Sequence, residues 1–194
     1  MRTHIISKQT YTINNQIINS NKQKERGADV NENLNSPQYD WEEIDGEKRV
    51  TRINWKNKKL CGDISFAGLS ELRKLVCSSD GLTGLLTGLD VRENTKLESL
   101  FCGGNQLTEL DISKNMELYD LDCEINQLTE LDLNNNPKLE YLYCNRNQLA
   151  KLDLSKNIEL KYLACARNQL TALDISKNIK LEYLYCSGKV KILN

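Results

Sequence analysis

Cysteines at 102, 123, 144, 165 and 186 are separated by 21 residues each time. Aligning the chain on them gives LESLFCGGNQLTELDISKNME, LYDLDCEINQLTELDLNNNPK, LEYLYCNRNQLAKLDLSKNIE and LKYLACARNQLTALDISKNIK, which begin at Leu97, Leu118, Leu139 and Leu160. A period of this length, held over consecutive copies, constrains the fold more than any single element does. Each copy is one supersecondary unit, and the copies stack.

The pattern continues beyond the clean copies. Upstream, LRKLVCSSDGL from Leu72 keeps Leu72, Leu75, Cys77 and Leu82. The step from Leu72 to Leu97 is 25 residues, and the surplus matches a local duplication of LTGL at 82–85 and 86–89. A weaker copy starts at Val50, with Ile53, Trp55 and Leu60 in the apolar slots. Downstream, LEYLYCSGKVKILN from Leu181 starts a coil and does not finish it. The expectation is about seven coils, the first degenerate and the last truncated.

The segment LxxLxCxxNxL resembles the signature of the leucine-rich repeat family, and residues 50–194 are similar to it throughout. Each copy also carries a shorter echo, as in LTELDISKN at 107–115, so the chain looks like the bacterial variant with nested 21-residue repeats. The resemblance implies a curved parallel solenoid and a binding role.

The residues themselves lead the same way. Leu100-Phe101-Cys102 and Leu110-Asp111-Ile112 alternate with period 2, which sends Leu with Cys or Ile to one side and the middle residue to the other. Two short parallel strands per coil follow, with little helix, because Gly, Asn and Ser lie between them. The fold class is therefore a mainly β leucine-rich-repeat solenoid. One coil cannot bury enough apolar surface to offset the cost of ordering it, so stability depends on stacking. Asn105, Asn126, Asn147 and Asn168 form one asparagine row, and Asn94, Asn115, Asn136, Asn157 and Asn178 form another. An inward amide at a tight turn offers donors and an acceptor to backbone groups that cannot satisfy themselves, so both rows read as structural.

Seven cysteines against the single His4 look at first like chemistry. The phase of the strands argues otherwise. Cys77, Cys102, Cys123, Cys144, Cys165 and Cys186 share one inward slot, which a small hydrophobe suits. In-register parallel neighbours make poor disulfide geometry, and no CxxC spacing is present, so free thiols in a core ladder are expected and no metal site. Cys61 lies off the ladder. The row Asp90, Asp111, Asp132, Asp153 and Asp174 reads as solvated or turn-bonding, since a single file of carboxylates supplies the converging oxygens of a Ca²⁺ site poorly.

Composition narrows function further. Twenty-six Lys and Arg against 27 Asp and Glu leave a net charge of -1, which gives no field for nucleic acid. Of 30 Leu, 29 lie at or after Leu60. No nucleophile and base, phosphate loop or paired acid and base emerges, so neither enzyme activity nor a cofactor is expected. The first twenty residues carry no apolar run of secretory type, so the location expected for the sequence as given is cytoplasmic, with export by another route left open. No apolar stretch is long enough for membrane insertion.

Binding information can only be written at outward positions. On the first strand these are Ser99 and Phe101, Asp120 and Asp122, Tyr141 and Tyr143, Tyr162 and Ala164, Tyr183 and Tyr185. Five of the eight Tyr fall there, and Glu124, Asn145, Arg146 and Arg167 lie beside them. Tyrosine gives large contact area at low rotamer entropy. The candidate partner-binding residues are Phe101, Asp120, Asp122, Tyr141, Tyr143, Arg146, Tyr162, Arg167, Tyr183 and Tyr185, and the expected partner is a protein. A carbohydrate-binding or adhesion surface on the same aromatics is the alternative, and ladder stabilisation alone is the non-functional reading.

Residues 1–39 are polar and expected to be disordered. Residues 40–71 read as an N-terminal cap plus the degenerate first coil, with Trp41, Ile44, Val50, Ile53 and Trp55 covering the open core and a short helix near 40–45. Residues 72–194 are the repeats, the last coil truncated from 181, with self-association through its uncapped edge a further expectation.

Overall fold

The computed structural model describes residues 10–12, 39–58, 60–80 and 85–194. It contains β1 (Thr10–Thr12), β2 (Tyr39–Ile44), β3 (Glu47–Asn54), β4 (Cys61–Ser65), β5 (Lys74–Val76), β6 (Leu85–Asp90) and β7 (Ser99–Phe101). These are followed by β8 (Asp120–Asp122), β9 (Tyr141–Tyr143), β10 (Tyr162–Ala164), β11 (Ala172–Asp174), β12 (Tyr183–Tyr185) and β13 (Lys191–Leu193). No helix occurs among the described residues.

Eight strands form one front sheet in the order β12-β10-β9-β8-β7-β5-β3-β2. From β3 to β12 every pairing in it is parallel, giving seven rungs. The 21-residue period is the register of the sheet: Leu100, Leu121, Leu142, Leu163 and Leu184 lie opposite one another in turn. Period 2 then sends each of these inward. Leu75, Leu100, Leu121, Leu142 and Leu163 are fully buried, in a core continuous from Tyr39 to Leu173.

The back of the solenoid is less regular than two strands per coil. There β1, β4 and β6 form a three-stranded sheet, and β11 and β13 pair separately. Between them, residues 110–112, 131–133 and 152–154 carry no ladder. Those coils are joined at the corner instead, where the amides of Gln127, Gln148 and Gln169 donate to the carbonyls of Leu107, Leu128 and Leu149 at 2.8 Å each. The stack is pinned along its front and looser along its back.

Both asparagine rows tie coil to coil, in different ways. Asn126 Nδ2 donates to the Cys102 and Cys123 carbonyls at 3.1 Å each, and its Oδ1 accepts from the Leu107 amide at 3.0 Å. The other row uses its donors only: Asn136 Nδ2 reaches the carbonyls of Ile112 at 3.1 Å and Asn115 at 2.9 Å. Asn94, Asn115, Asn136 and Asn157 are wholly buried.

A second register device runs along one flank. Glu71, Lys96, Glu117, Lys138, Glu159 and Lys180 alternate in sign coil by coil, and Lys96 pairs with Glu71 at 2.6 Å, Lys138 with Glu117, and Lys180 with Glu159 at 2.5 Å. Beside them Arg73 meets Glu98 at 3.2 Å and Lys161 meets Glu140 at 2.7 Å. Each exposed pair is worth little alone. Slipping the stack by one coil, however, would set like charges against each other.

The cap differs from the helix expected near 40–45. Asp45 (φ 54°) and Gly46 (φ 76°) make a tight hairpin turn, and β2 pairs antiparallel with β3. Asp-Gly favours this turn because both central residues need positive φ. Val50, Ile53 and Trp55 are buried as expected, but Trp41 and Ile44 are not in the core. A register shift between Asp40 and Trp41 accompanies this, and the Trp41 ring lies under Lys48 Nζ, 3.9 Å from its centroid. Tyr39 closes the core instead, edge-on to Trp55 with its hydroxyl accepting from Trp55 Nε1 at 3.2 Å. Of the polar N-terminal segment, Thr10–Thr12 form a strand parallel to β4, and the disorder expected for the remainder lies outside the described residues. So does most of the first LTGL copy.

The coil that starts at 181 carries two strands. β13 pairs in parallel with β11, and Val190 and Ile192 pack against the core. The chain therefore has both a front and a back strand in this coil, on a connection shorter than the repeat.

All seven cysteines are free thiols. Burial pushes the Cys77 and Cys165 thiols up to about 12 and raises Cys102, Cys123 and Cys144 as well. Cys61 opens β4 on the back sheet and is half-buried, as is Cys186.

A thiol reagent at neutral pH should therefore modify Cys61 and Cys186 in the native protein and all seven on denaturation, read by mass spectrometry. Fast native labelling of Cys102, Cys123 or Cys144 would contradict the buried ladder. Asn136→Ala removes two buried inter-coil hydrogen bonds, leaving the Ile112 and Asn115 carbonyls only their backbone donors, and should cost about 1–3 kcal/mol in urea unfolding, whereas Asn135→Ala, on the exposed turn, should stay within about 0.5 kcal/mol.

Candidate functional site

The outward residues of the front strands form two columns. Ser99, Asp120, Tyr141, Tyr162 and Tyr183 make one, and Phe101, Asp122, Tyr143, Ala164 and Tyr185 the other, in register across β7, β8, β9, β10 and β12. The structure thus brings the expected strand residues onto one face. Ser99 and Ala164 are buried within it, while Tyr183 and Tyr185 are each half exposed.

The aromatic part is a wall of rings. Tyr162 and Tyr183 stack at 4.5 Å between centroids with 10° between planes, and Tyr143 lies 4.8 Å from Tyr162 at 33°. Such contacts stabilise neighbouring strands, so the ladder role is real for these three. Their mutual packing occupies ring faces. At the other end Phe101 is covered by Lys74, whose Nζ lies 5.0 Å from the ring centroid. Lys74 belongs to the face and was missed from the sequence; its pairing opposite Ser99, across the 25-residue step, was the available signal.

Between these lies an acidic rung. Asp120 Oδ1 is buried without a hydrogen-bond partner, and Asp122 Oδ1 accepts from the Glu124 amide at 3.0 Å. Burial, with Glu124 and Asp120 adding repulsion, raises the Asp122 carboxyl to about 6, and burial also raises Asp120. Gly103 is required beneath them, since a Cβ there would sit 2.9 Å from Asp122 Oδ1 and 3.2 Å from the Glu124 carbonyl.

Along the edge of the face runs a strained column. Gly104 (φ 72°), Ile125 (φ 53°), Arg146 (φ 52°) and Arg167 (φ 57°) hold the left-handed conformation at equivalent positions. The conformation sends each amide to the next coil: Gly104 to the Glu124 carbonyl, Ile125 to Asn145, Arg146 to Ala166, all at 2.9 Å, and Arg167 to Ser187 Oγ at 2.9 Å. Glycine adopts it freely, but a side chain there costs roughly 1–2 kcal/mol. Arg49, Arg52, Arg73 and Arg92 are each tied to a carboxylate, whereas Arg146 and Arg167 are exposed with no ion pair among the described residues.

The back offers a second concavity of about 1030 Å³ where the ladder lapses, lined by Asp63, Thr87, Asp90, Asp111 and neighbours. Several of its polar groups are paired with one another: Thr87 Oγ1 donates to Asp63 at 2.6 Å, Arg92 Nε to Asp90 at 2.9 Å and Ser113 Oγ to Asp111 at 2.7 Å. Asp132, Asp153 and Asp174 accept from the amides two residues on. These bonds hold the carboxyls of Asp90, Asp111, Asp153 and Asp174 below the usual range. The Asp row is thus the turn-bonding row read from the sequence.

No family model matches the chain, and no curated protein matches it. Among solved structures it is similar to the functional domain of InlJ from Listeria monocytogenes, which includes a cysteine ladder, at 26% identity over 75% of this chain and a TM-score of 0.52. An internalin, InlF, from the same organism matches at 22% identity over 69% with a TM-score of 0.53, and a leucine-rich repeat protein of Leptospira interrogans at 23% over 69% with 0.51. The chain covers 44%, 41% and 42% of those three.

Asp122 makes stability pH-dependent. Its pKa is higher folded than unfolded, so the native state holds the extra proton between 3.8 and about 6, and this site's contribution falls as pH rises through that window. Asp122→Asn keeps the Oδ1 acceptor and should raise Tm at pH 7, by about 2–4 °C per kcal/mol recovered, with no gain at pH 3.5. Equal shifts at both pH values in differential scanning fluorimetry would refute this.

Proposed function

We propose that this leucine-rich repeat protein is a non-catalytic interaction module that binds a protein partner through the front face of its solenoid. The observation that carries the reading is the concentration of Tyr141, Tyr143, Tyr162, Tyr183 and Tyr185 on the outward positions of adjacent rungs. Tyr183 and Tyr185 are large apolar side chains exposed to half their surface on a flat sheet. Exposed contiguous aromatic surface of this kind marks interfaces. Likeness to internalins and other leucine-rich repeat structures supports an interaction role in general.

Glycan binding fits the same face less well. Stacking on a sugar needs a free ring face, and the contacts of Tyr162 with Tyr143 and Tyr183 take up both faces of its ring.

The test replaces Tyr141, Tyr143, Tyr162 and Tyr183 together by Ser. Capture of a partner from the native organism should be lost while the far-UV spectrum stays that of the parent. A control set, Met116, Ile158 and Ile179 to Ser, alters exposed apolar residues on the flank and should leave capture unchanged. Loss in the control and retention in the Tyr set would place the interface on the flank.

A further inference from the structure

Strain, charge and ring orientation converge on one part of the front face. Position 104 of the left-handed column is Gly, the residue the backbone conformation favours, yet the equivalent positions on the Tyr-bearing coils are Arg146 and Arg167. Neither guanidinium is paired within the described residues, although every other described arginine is. Arginine therefore serves no visible end in the fold at these two positions. Beside them on the same rungs the Tyr rings stack on one another, which takes up ring faces. Stacked rings leave less face for a cation, and a phenol can donate, so the wall suits acceptors rather than cations.

On these grounds we infer that Arg146 and Arg167 are the specificity-determining residues of the face, and that they recognise an acidic segment of a protein partner seated against Tyr143, Tyr162 and Tyr183. The proposal rests on the front-face reading above and adds the partner's chemistry. Guanidinium groups pair bidentately with carboxylates, which gives orientation as well as attraction. Asp120, Asp122 and Glu124 on the preceding coil set the boundary, because an acidic segment is repelled there. The footprint is accordingly β9, β10 and β12 and not the whole sheet.

The test compares binding of two short fluorescent peptides of equal length, one of Glu and Phe and one of Lys and Phe, and of heparin, to the full chain by anisotropy. The wild type should prefer the Glu peptide over both others. In the double variant Arg146→Gly, Arg167→Gly, affinity for it should fall roughly tenfold or more, while Tm holds or rises, because glycine relieves the left-handed strain. Arg146→Lys, Arg167→Lys should recover part of the binding but not the strain relief. A preference for the Lys peptide, tighter binding of heparin, or unchanged Glu-peptide affinity in the Gly variant each overturns the proposal. The front-face reading falls separately, if the four-Tyr variant keeps its native partner.

Discussion

A stack of coils stands or falls on what joins one coil to the next, and here that is a hydrogen-bonded seam more than a hydrophobic one. The leucines fill a core, but apolar contact is non-directional and would tolerate slippage. Backbone ladders run the length of the front, whereas at the back they join only the first and last coils and the middle coils have none. The buried Asn94, Asn115, Asn136, Asn157 and Asn178 supply what is missing: each amide donates to two carbonyls of the preceding coil, at 2.8–3.1 Å. Those carbonyls also accept backbone amides within their own coil, as Ile112 does from Asn115 and Asn115 from Leu118, so each Asn adds a second, inter-coil bond to a turn already closed, and stability becomes a nearest-neighbour property.

Such uniformity brings a register problem. Identical coils with identical asparagines could stack one step out without losing any of these bonds. The alternating Glu71, Lys96, Glu117, Lys138, Glu159 and Lys180 row breaks the degeneracy, because neighbouring rungs attract only in the native order. Its pairs are exposed, and their contribution lies in penalising the alternative rather than in stabilising the native state. The front columns add a second asymmetry, with an acidic rung at Asp120 and Asp122 and aromatics beyond.

Much of this was legible from spacing. Period 21 placed the leucines, the cysteines and both asparagine rows, because one inward slot repeated is one physical environment repeated. The outward columns followed from period 2. What the period could not reveal sits where repetition ends. Trp41 read as a cap by size, but pairing between β2 and β3 shifts register at Asp40 and puts Tyr39 in the core instead. The Asp45-Gly46 hairpin was readable from turn chemistry, yet a short helix near 40–45 was expected there instead. The lapse of the back ladder left no mark in a sequence whose Leu-Asp-Ile segments alternate as strands do. Ring stacking among Tyr143, Tyr162 and Tyr183 is likewise a matter of side-chain direction, which spacing does not specify.

The left-handed column shows how repetition exposes function. In a protein without repeats, an arginine at positive φ has no reference against which its cost can be judged. Here Gly104 occupies the same position two coils before Arg146, with the same amide bond to the next coil at the same 2.9 Å. The backbone task is thus met by Gly104, Ile125, Arg146 and Arg167 alike, and the side chain is the variable. Ile125, on the acidic coil, is half-buried; Arg146 and Arg167, on the aromatic coils, are exposed. Since Ile125 carries the same strain without a charge, strain alone does not mark a site; what sets Arg146 and Arg167 apart is an exposed, unpaired guanidinium on the aromatic rungs, and that is the ground on which the acidic-partner proposal stands.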